Sequence, residues 1–98
     1  MSDKFGIAAV HWQKILSLFL PCKQIESVVL FGSRAMGNFR AGSDIDLCLK
    51  GDIDPDLIPK ILNDYELLFL PWKLDLVLWN QIQNPDLKEH IQRVGVEV

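Results

Sequence analysis

Two short motifs, Gly32-Ser33 and Asp44-Ile45-Asp46, are separated by ten residues and constrain this chain more than any other feature in it. An apolar run, Ser27 to Phe31, leads straight into Gly32-Ser33, and a second apolar run continues from Asp44 to Lys50. In a strand, residues two apart share a face, so Asp44 and Asp46 point one way while Ile45 and Leu47 point into a core. Two carboxylates at ~4 Å repel by about 4 kcal/mol at an effective dielectric of ~20. A cation is therefore expected between them, and an oxygen-only donor set selects a hard ion such as magnesium. Gly32-Ser33, at a strand end and the start of a short helix, offers backbone N–H groups and a hydroxyl that suit a phosphate. Metal ligands beside a phosphate cradle indicate nucleotide chemistry.

A third acid extends the pattern. Asp75 lies in the run Lys73 to Trp79, where Leu74, Leu76 and Leu78 share one face and Asp75, Val77 and Trp79 the other. An unpaired acid among leucines is costly to bury. Asp75 is therefore either an edge-strand aspartate facing water or a third carboxylate turned toward Asp44 and Asp46.

Between and around these runs the chain alternates strands with helices. Ala8, Trp12, Ile15, Leu16 and Phe19 recur at helical spacing, which predicts a helix over residues 1–20 capped by Ser2 or Asp3 and ended by Pro21, with His11 and Lys14 toward water. Gly37 is placed to stop a single turn after Ser33. Pro59 would clash inside a helix begun at Pro55 but is tolerated in a first turn, so the next helix is set to start at Leu57 behind Asp56 and to end by Pro71. Asn84-Pro85 opens a last helix with a Leu87, Ile91, Val94 stripe, closed by Gly95. Helices packed on a small mixed sheet, an α/β layer structure, are the expected architecture.

With 98 residues, 49% of them apolar, residues 1–98 are expected to form a single domain. The net charge of −3 and the pI of about 5.2 give no sign of a nucleic-acid groove or an anionic-membrane surface. Cys22 and Cys48 have no metal-ligand spacing and are read as reduced, buried thiols. No signal-peptide pattern or bilayer-length apolar run is present, so a cytoplasmic location is the expectation.

Gly32-Ser33, Gly37, Ser43-Asp44 and Asp46, followed by Asp75 on the next acidic strand, resemble the signature of the DNA polymerase beta-like nucleotidyltransferases, and most of all its minimal nucleotidyltransferase members. The resemblance spans about half the chain. It implies that Asp44 and Asp46 ligate magnesium and that Asp75 binds a second ion and helps deprotonate an attacking hydroxyl. Gly32 and Ser33 would hold the terminal phosphates of ATP. Arg34 fits either a phosphate clamp or a brace for its loop. Ser43 is grouped with the nucleotide-binding residues, although its place at the loop end also suits hydrogen bonding to the loop. Arg40 and Lys50 are read as solvated, and His11 and His90 as ordinary surface or boundary residues.

The implied reaction is transfer of a nucleotide monophosphate, AMP from ATP, to a hydroxyl. The family resemblance further implies a small helical HEPN-domain partner, a ribonuclease toxin to which this chain is the antitoxin. The alternative is a non-catalytic module that sequesters such a partner, and a third reading is transfer to a small molecule. Three tryptophans and the run Leu67 to Trp72 leave apolar area that a partner, or a second copy in a homo-oligomer, would cover.

Overall fold

The computed structural model describes residues 4–98. Four strands, β1 (Ser27–Phe31), β2 (Ile45–Lys50), β3 (Leu74–Leu78) and β4 (Val96–Glu97), form one sheet in the order β3-β2-β1-β4. β1 pairs antiparallel with β2 and β4, whereas β2 and β3 run parallel. The parallel pair needs a crossover, and α3 (Leu57–Glu66) supplies it. The mixed α/β layer architecture expected from the sequence is thus observed.

Period-two alternation divides the sheet into two faces. Val28 and Leu30 of β1, Ile45, Leu47 and Leu49 of β2, and Leu74 and Leu78 of β3 pack with Trp12, Ile15, Ile61 and Tyr65 from the helices α1 (Ala9–Leu16) and α3. Leu30, Leu47 and Leu49 are completely buried, each contributing roughly 1.5–3 kcal/mol of transfer free energy. The opposite face is smaller. Val29, Phe31 and Cys48 pack there against Ile91 of α4 (Pro85–Val94), with Val77, Trp79, Leu87 and Val94 around them. Asp46 and Asp75 belong to this second face by alternation.

The termini of the elements differ from expectation in places. The proposed caps Ser2 and Asp3 lie outside the described residues. The first helix begins only at Ala9, because Lys4 and Ile7 close a tight turn by reciprocal N–H···O bonds of 2.9 and 3.0 Å. Trp12 locks that turn by donating its Nε1–H to the Lys4 carbonyl. His11 does not face water: its ring packs edge-on against Trp72 at 5.4 Å, and its Nδ1 is buried. α3 starts at Leu57 as expected, but Asp54 does the capping, accepting from the N–H of Asp56 on its side chain and from Leu57 on its carbonyl. The helix ends at Glu66, earlier than Pro71, and the connector folds back so that the Tyr65 hydroxyl donates to the Trp72 carbonyl at 2.6 Å. Asn84 caps α4 as expected by accepting from Asp86. The two-residue β4 was not anticipated. Among the described residues no helix is long and apolar enough to cross a membrane.

Candidate active site

The strand register brings the acids together. Phe31 lies opposite Asp46 across the β1–β2 pair, and Asp46 lies opposite Asp75 across the β2–β3 pair. Neighbouring strands are about 4.8 Å apart, so Asp46 and Asp75 are adjacent on one face. Asp46 is half-buried and Asp44, one residue before β2, is exposed. Burial pushes the Asp46 carboxyl above its ordinary value, the charges of Asp75 and Asp44 push it further, and only His90 opposes them. The carboxylate nearest the sheet centre is thus held in an unfavourable ionised state, which a cation would relieve.

Local geometry places the glycine corner directly on that carboxylate. The helix α2 (Gly32–Met36) follows β1 without a linker, and Gly32 sits at φ +77°, a left-handed conformation that favours glycine. A Cβ added at Gly32 would run into Asp46 Oδ2. Gly37, at φ 85°, ends the turn as the sequence suggested. Ser33 is half-buried at the first turn of α2.

The remaining candidates divide. Arg34 is 1% exposed, and its guanidinium is spent on carbonyls. It donates to Phe5 at 2.8 Å, to Ala41 at 3.2 Å, and to Ser43 from Nε at 3.1 Å and from an Nη at 2.9 Å. Phe39 and Trp72 flank the cation at 5.2 and 5.6 Å. Burial lowers its pKa, with a smaller opposing effect of Tyr65. Of the two roles open in the sequence, the structure gives Arg34 the bracing one, through carbonyls and not through a salt bridge. It is corrected from the nucleotide-binding group because the guanidinium is buried and engaged by the carbonyls of Phe5, Ala41 and Ser43. Ser43 braces the same loop. Its carbonyl takes Arg34, and its hydroxyl accepts the Arg40 N–H at 2.8 Å. Together they fix the loop that delivers Asp44.

One residue missed in the sequence reading enters the site from α4. His90 Nε2 accepts the Gly32 N–H at 3.3 Å, across 58 positions of chain, and its ring lies edge-on to Phe31. His90 is half-buried, as a boundary residue, but it also touches the glycine corner. A signal existed: residues 87, 90, 91 and 94 recur at helical spacing, so His90 shares the sheet-facing stripe of Leu87, Ile91 and Val94, in which Ile91 is buried.

The donor set can be tested for a divalent ion. Among the described residues the only ion pairs are Lys73–Asp75 at 3.9 Å and Arg93–Glu89 at 3.0 Å, and neither engages Asp44 or Asp46. Also among the described residues, no three His, Cys, Asp or Glu side chains close around one point. The acids are therefore a partial, all-oxygen set and not a cage. That suits magnesium, which is held by one or two carboxylates and completed by phosphate oxygens and water. A hollow of about 590 Å³ adjoins Asp75, with Tyr65, Phe69, Trp72 and Leu74 in its walls. A larger one of about 850 Å³, beside Pro21 and Pro59, shares no residue with the carboxylate edge.

The model of the family described as Polymerase beta, Nucleotidyltransferase matches residues 13–98. A candidate protein adenylyltransferase of Methanocaldococcus jannaschii is 34% identical over 70 residues, which cover 70% of this chain and 71% of that protein. The chain belongs to the polymerase beta nucleotidyltransferase family. Solved nucleotidyltransferase-fold structures agree with its architecture. A toxin–antitoxin crystal structure with AMP-PNP superposes at TM-score 0.71 and 22% identity, covering 87% of this chain and 69% of that one. The toxin–antitoxin MntA–HepT superposes at TM-score 0.65 and 18% identity, covering 92% and 70%. A candidate nucleotidyltransferase of Sulfolobus solfataricus gives TM-score 0.53 at 15% identity, covering 90% and 75%. At these identities the solved structures speak to fold. In this nucleotidyltransferase, the paired acids and the glycine corner lie together at one end of the sheet.

Proposed function

We propose that this nucleotidyltransferase moves AMP from magnesium-bound ATP to a hydroxyl of a protein partner, and that the partner is a HEPN-type ribonuclease for which it serves as antitoxin. The observation that carries the reading is the Asp46–Asp75 register pair beneath Gly32, where a divalent ion, the polyphosphate and an acceptor can meet. The 34% identical adenylyltransferase supports AMP as the transferred group. The MntA–HepT neighbours support a toxin partner.

In this reading Asp44 and Asp46 would hold the nucleotide's magnesium, and Asp75 would hold a second ion. When bound, such ions neutralise phosphate charge and stabilise both the attacking and the departing oxygen. The chain's own residues position the rest. Gly32 and Ser33 hold the terminal phosphates, Ser33 by its backbone N–H and hydroxyl and Gly32 by an N–H that a phosphate oxygen takes over from His90 Nε2. Asp75 takes the proton of the acceptor hydroxyl. The hydroxyl oxygen forms a bond to the α-phosphorus, the bond from that phosphorus to the bridging oxygen breaks, and pyrophosphate leaves with the electron pair. Catalysis of this kind is mostly alignment and electrostatics.

The experiment is to incubate the protein with labelled ATP, magnesium and a co-expressed HEPN-type protein. Label should pass to the partner and disappear with Asp46→Ala. Absence of transfer, or transfer indifferent to that change, overturns the catalytic reading. A second reading, sequestration without turnover, is favoured by Phe69 and Leu67, which are 88% and 65% exposed and offer apolar surface to a partner. It predicts that Asp44→Asn protects cells as well as the unaltered protein does.

A further inference from the structure

We infer that the hollow between the end of α3, the connector Leu67 to Lys73 and the edge strand β3 is the docking groove for the acceptor polypeptide. This inference rests on the protein-acceptor reading above and locates the surface that reading requires.

Access to the carboxylates is lopsided. On one side Asp46 has β1, Gly32 and, behind it, His90 of α4. On the other side, among the described residues, the sheet ends with Asp75 on its outermost strand. If the nucleotide's phosphates occupy the glycine corner, an acceptor hydroxyl must come to Asp75 across the β3 edge. The hollow of about 590 Å³ adjoins it, lined by the charged Glu66, Lys73 and Asp75 and by Tyr65, Leu70 and Trp72.

The wall of the groove is built for contact. Phe69 is 88% exposed, yet it is held at φ 53°, a left-handed conformation that is an outlier for a bulky side chain. Such strain persists where surrounding structure imposes it, and it concentrates at binding sites. The imposing structure is the fold-back of the connector, tied by the Tyr65 hydroxyl to Trp72 and by the Trp72 indole N–H to Ala41 at 3.0 Å. Leu67, two residues earlier, is 65% exposed on the same connector. β3 also presents an outer edge that no strand among the described residues covers, which an extended segment can join by main-chain hydrogen bonds. An apolar anchor and an open strand edge in one groove, with Asp75 on the strand that borders it, fit a peptide segment carrying its hydroxyl beside an apolar side chain. They do not fit a small molecule, which would leave Phe69 in water.

Phe69→Asp tests this without threatening the fold, because the side chain is exposed and aspartate tolerates the left-handed conformation better than phenylalanine. Four quantities are read: magnesium–ATP binding by calorimetry, slow hydrolysis of ATP to AMP with water as acceptor, and the binding and the labelling of the co-expressed HEPN-type protein. The expected result is unchanged nucleotide binding and hydrolysis, with partner binding weakened roughly tenfold or more, as at an interface hot spot. Phe69→Leu should restore most of it. Partner binding equal to that of the unaltered protein overturns the groove. So does a dimer that Phe69→Asp splits while partner binding is intact, since a second copy would then be the occupant. A protein that binds the partner through Phe69 but never labels it keeps the groove and removes the transfer reading. One that binds no HEPN-type protein at all removes the groove.

Discussion

A side chain cannot be added at Gly32 without striking the carboxylate of Asp46. The strand end and the acid fit each other by shape as well as charge. Gly32→Ala should therefore fail twice. The left-handed conformation costs a non-glycine residue about 1–2 kcal/mol, visible as a lower urea midpoint. Displacement of Asp46 should also remove measurable transfer, while Gly37→Ala, with open space around it, should show the conformational loss alone.

Asp46→Asn should separate activity from stability. Folding raises the carboxyl pKa of Asp46, first through burial and then through Asp75 and Asp44. The folded state therefore binds the proton more readily than the unfolded chain. The stabilisation this gives is complete below the unfolded value, near 3.8, and is lost as pH rises through the higher folded value. At neutral pH, without metal, the asparagine variant should accordingly have the higher Tm, and its advantage should vanish in acid. Its transfer rate should fall about 100-fold or more. A scan of Tm against pH for both proteins checks the sign.

Arg34→Lys should destabilise almost as much as Arg34→Met. A lysine cannot span the carbonyls of Phe5, Ala41 and Ser43, which lie around a planar fork. The half-buried carbonyls of Phe5 and Ser43 then lack a donor while that of Ala41 keeps the Trp72 indole N–H, so a loss of about 2 kcal/mol or more is expected in urea denaturation.

His90→Phe keeps the edge-on contact with Phe31 but gives the Gly32 N–H no acceptor. Stability should fall by about 1 kcal/mol, and His90→Gln should recover part of it. Nucleotide affinity, measured by calorimetry, should be retained or tightened, because a phosphate oxygen then has no rival for that N–H.

The two thiols should differ in reactivity. Cys48 is completely buried and its pKa is raised by that burial, against a smaller effect of Lys50, while Cys22 is partly exposed. Iodoacetamide under native conditions should modify Cys22 alone, and mass spectrometry of the digested protein checks it.

What could be read in advance divides along a physical line. Asp44, Asp46 and Asp75 were visible because period-two alternation needs only a few neighbouring residues. Gly32 and Gly37 were visible because turns restrict which residues fit. The contact of His90 with Gly32 depends on how α4 lies across the sheet, which no local pattern records. Arg34 illustrates the same limit: its sequence position suited a phosphate as well as a brace, and only distant carbonyls decided between them. The early end of α3 escaped notice because apolar Leu67, Leu68 and Leu70 continue the composition of a helix while the backbone has already turned away.

Arg34 joins Phe5, at the front of the chain, to the stretch Ala41–Ser43 that carries Asp44 into place. Trimming or refolding the opening segment would therefore slacken a carboxylate nearly forty positions downstream, so a fusion that disturbs Phe5 would disarm the enzyme from a distance.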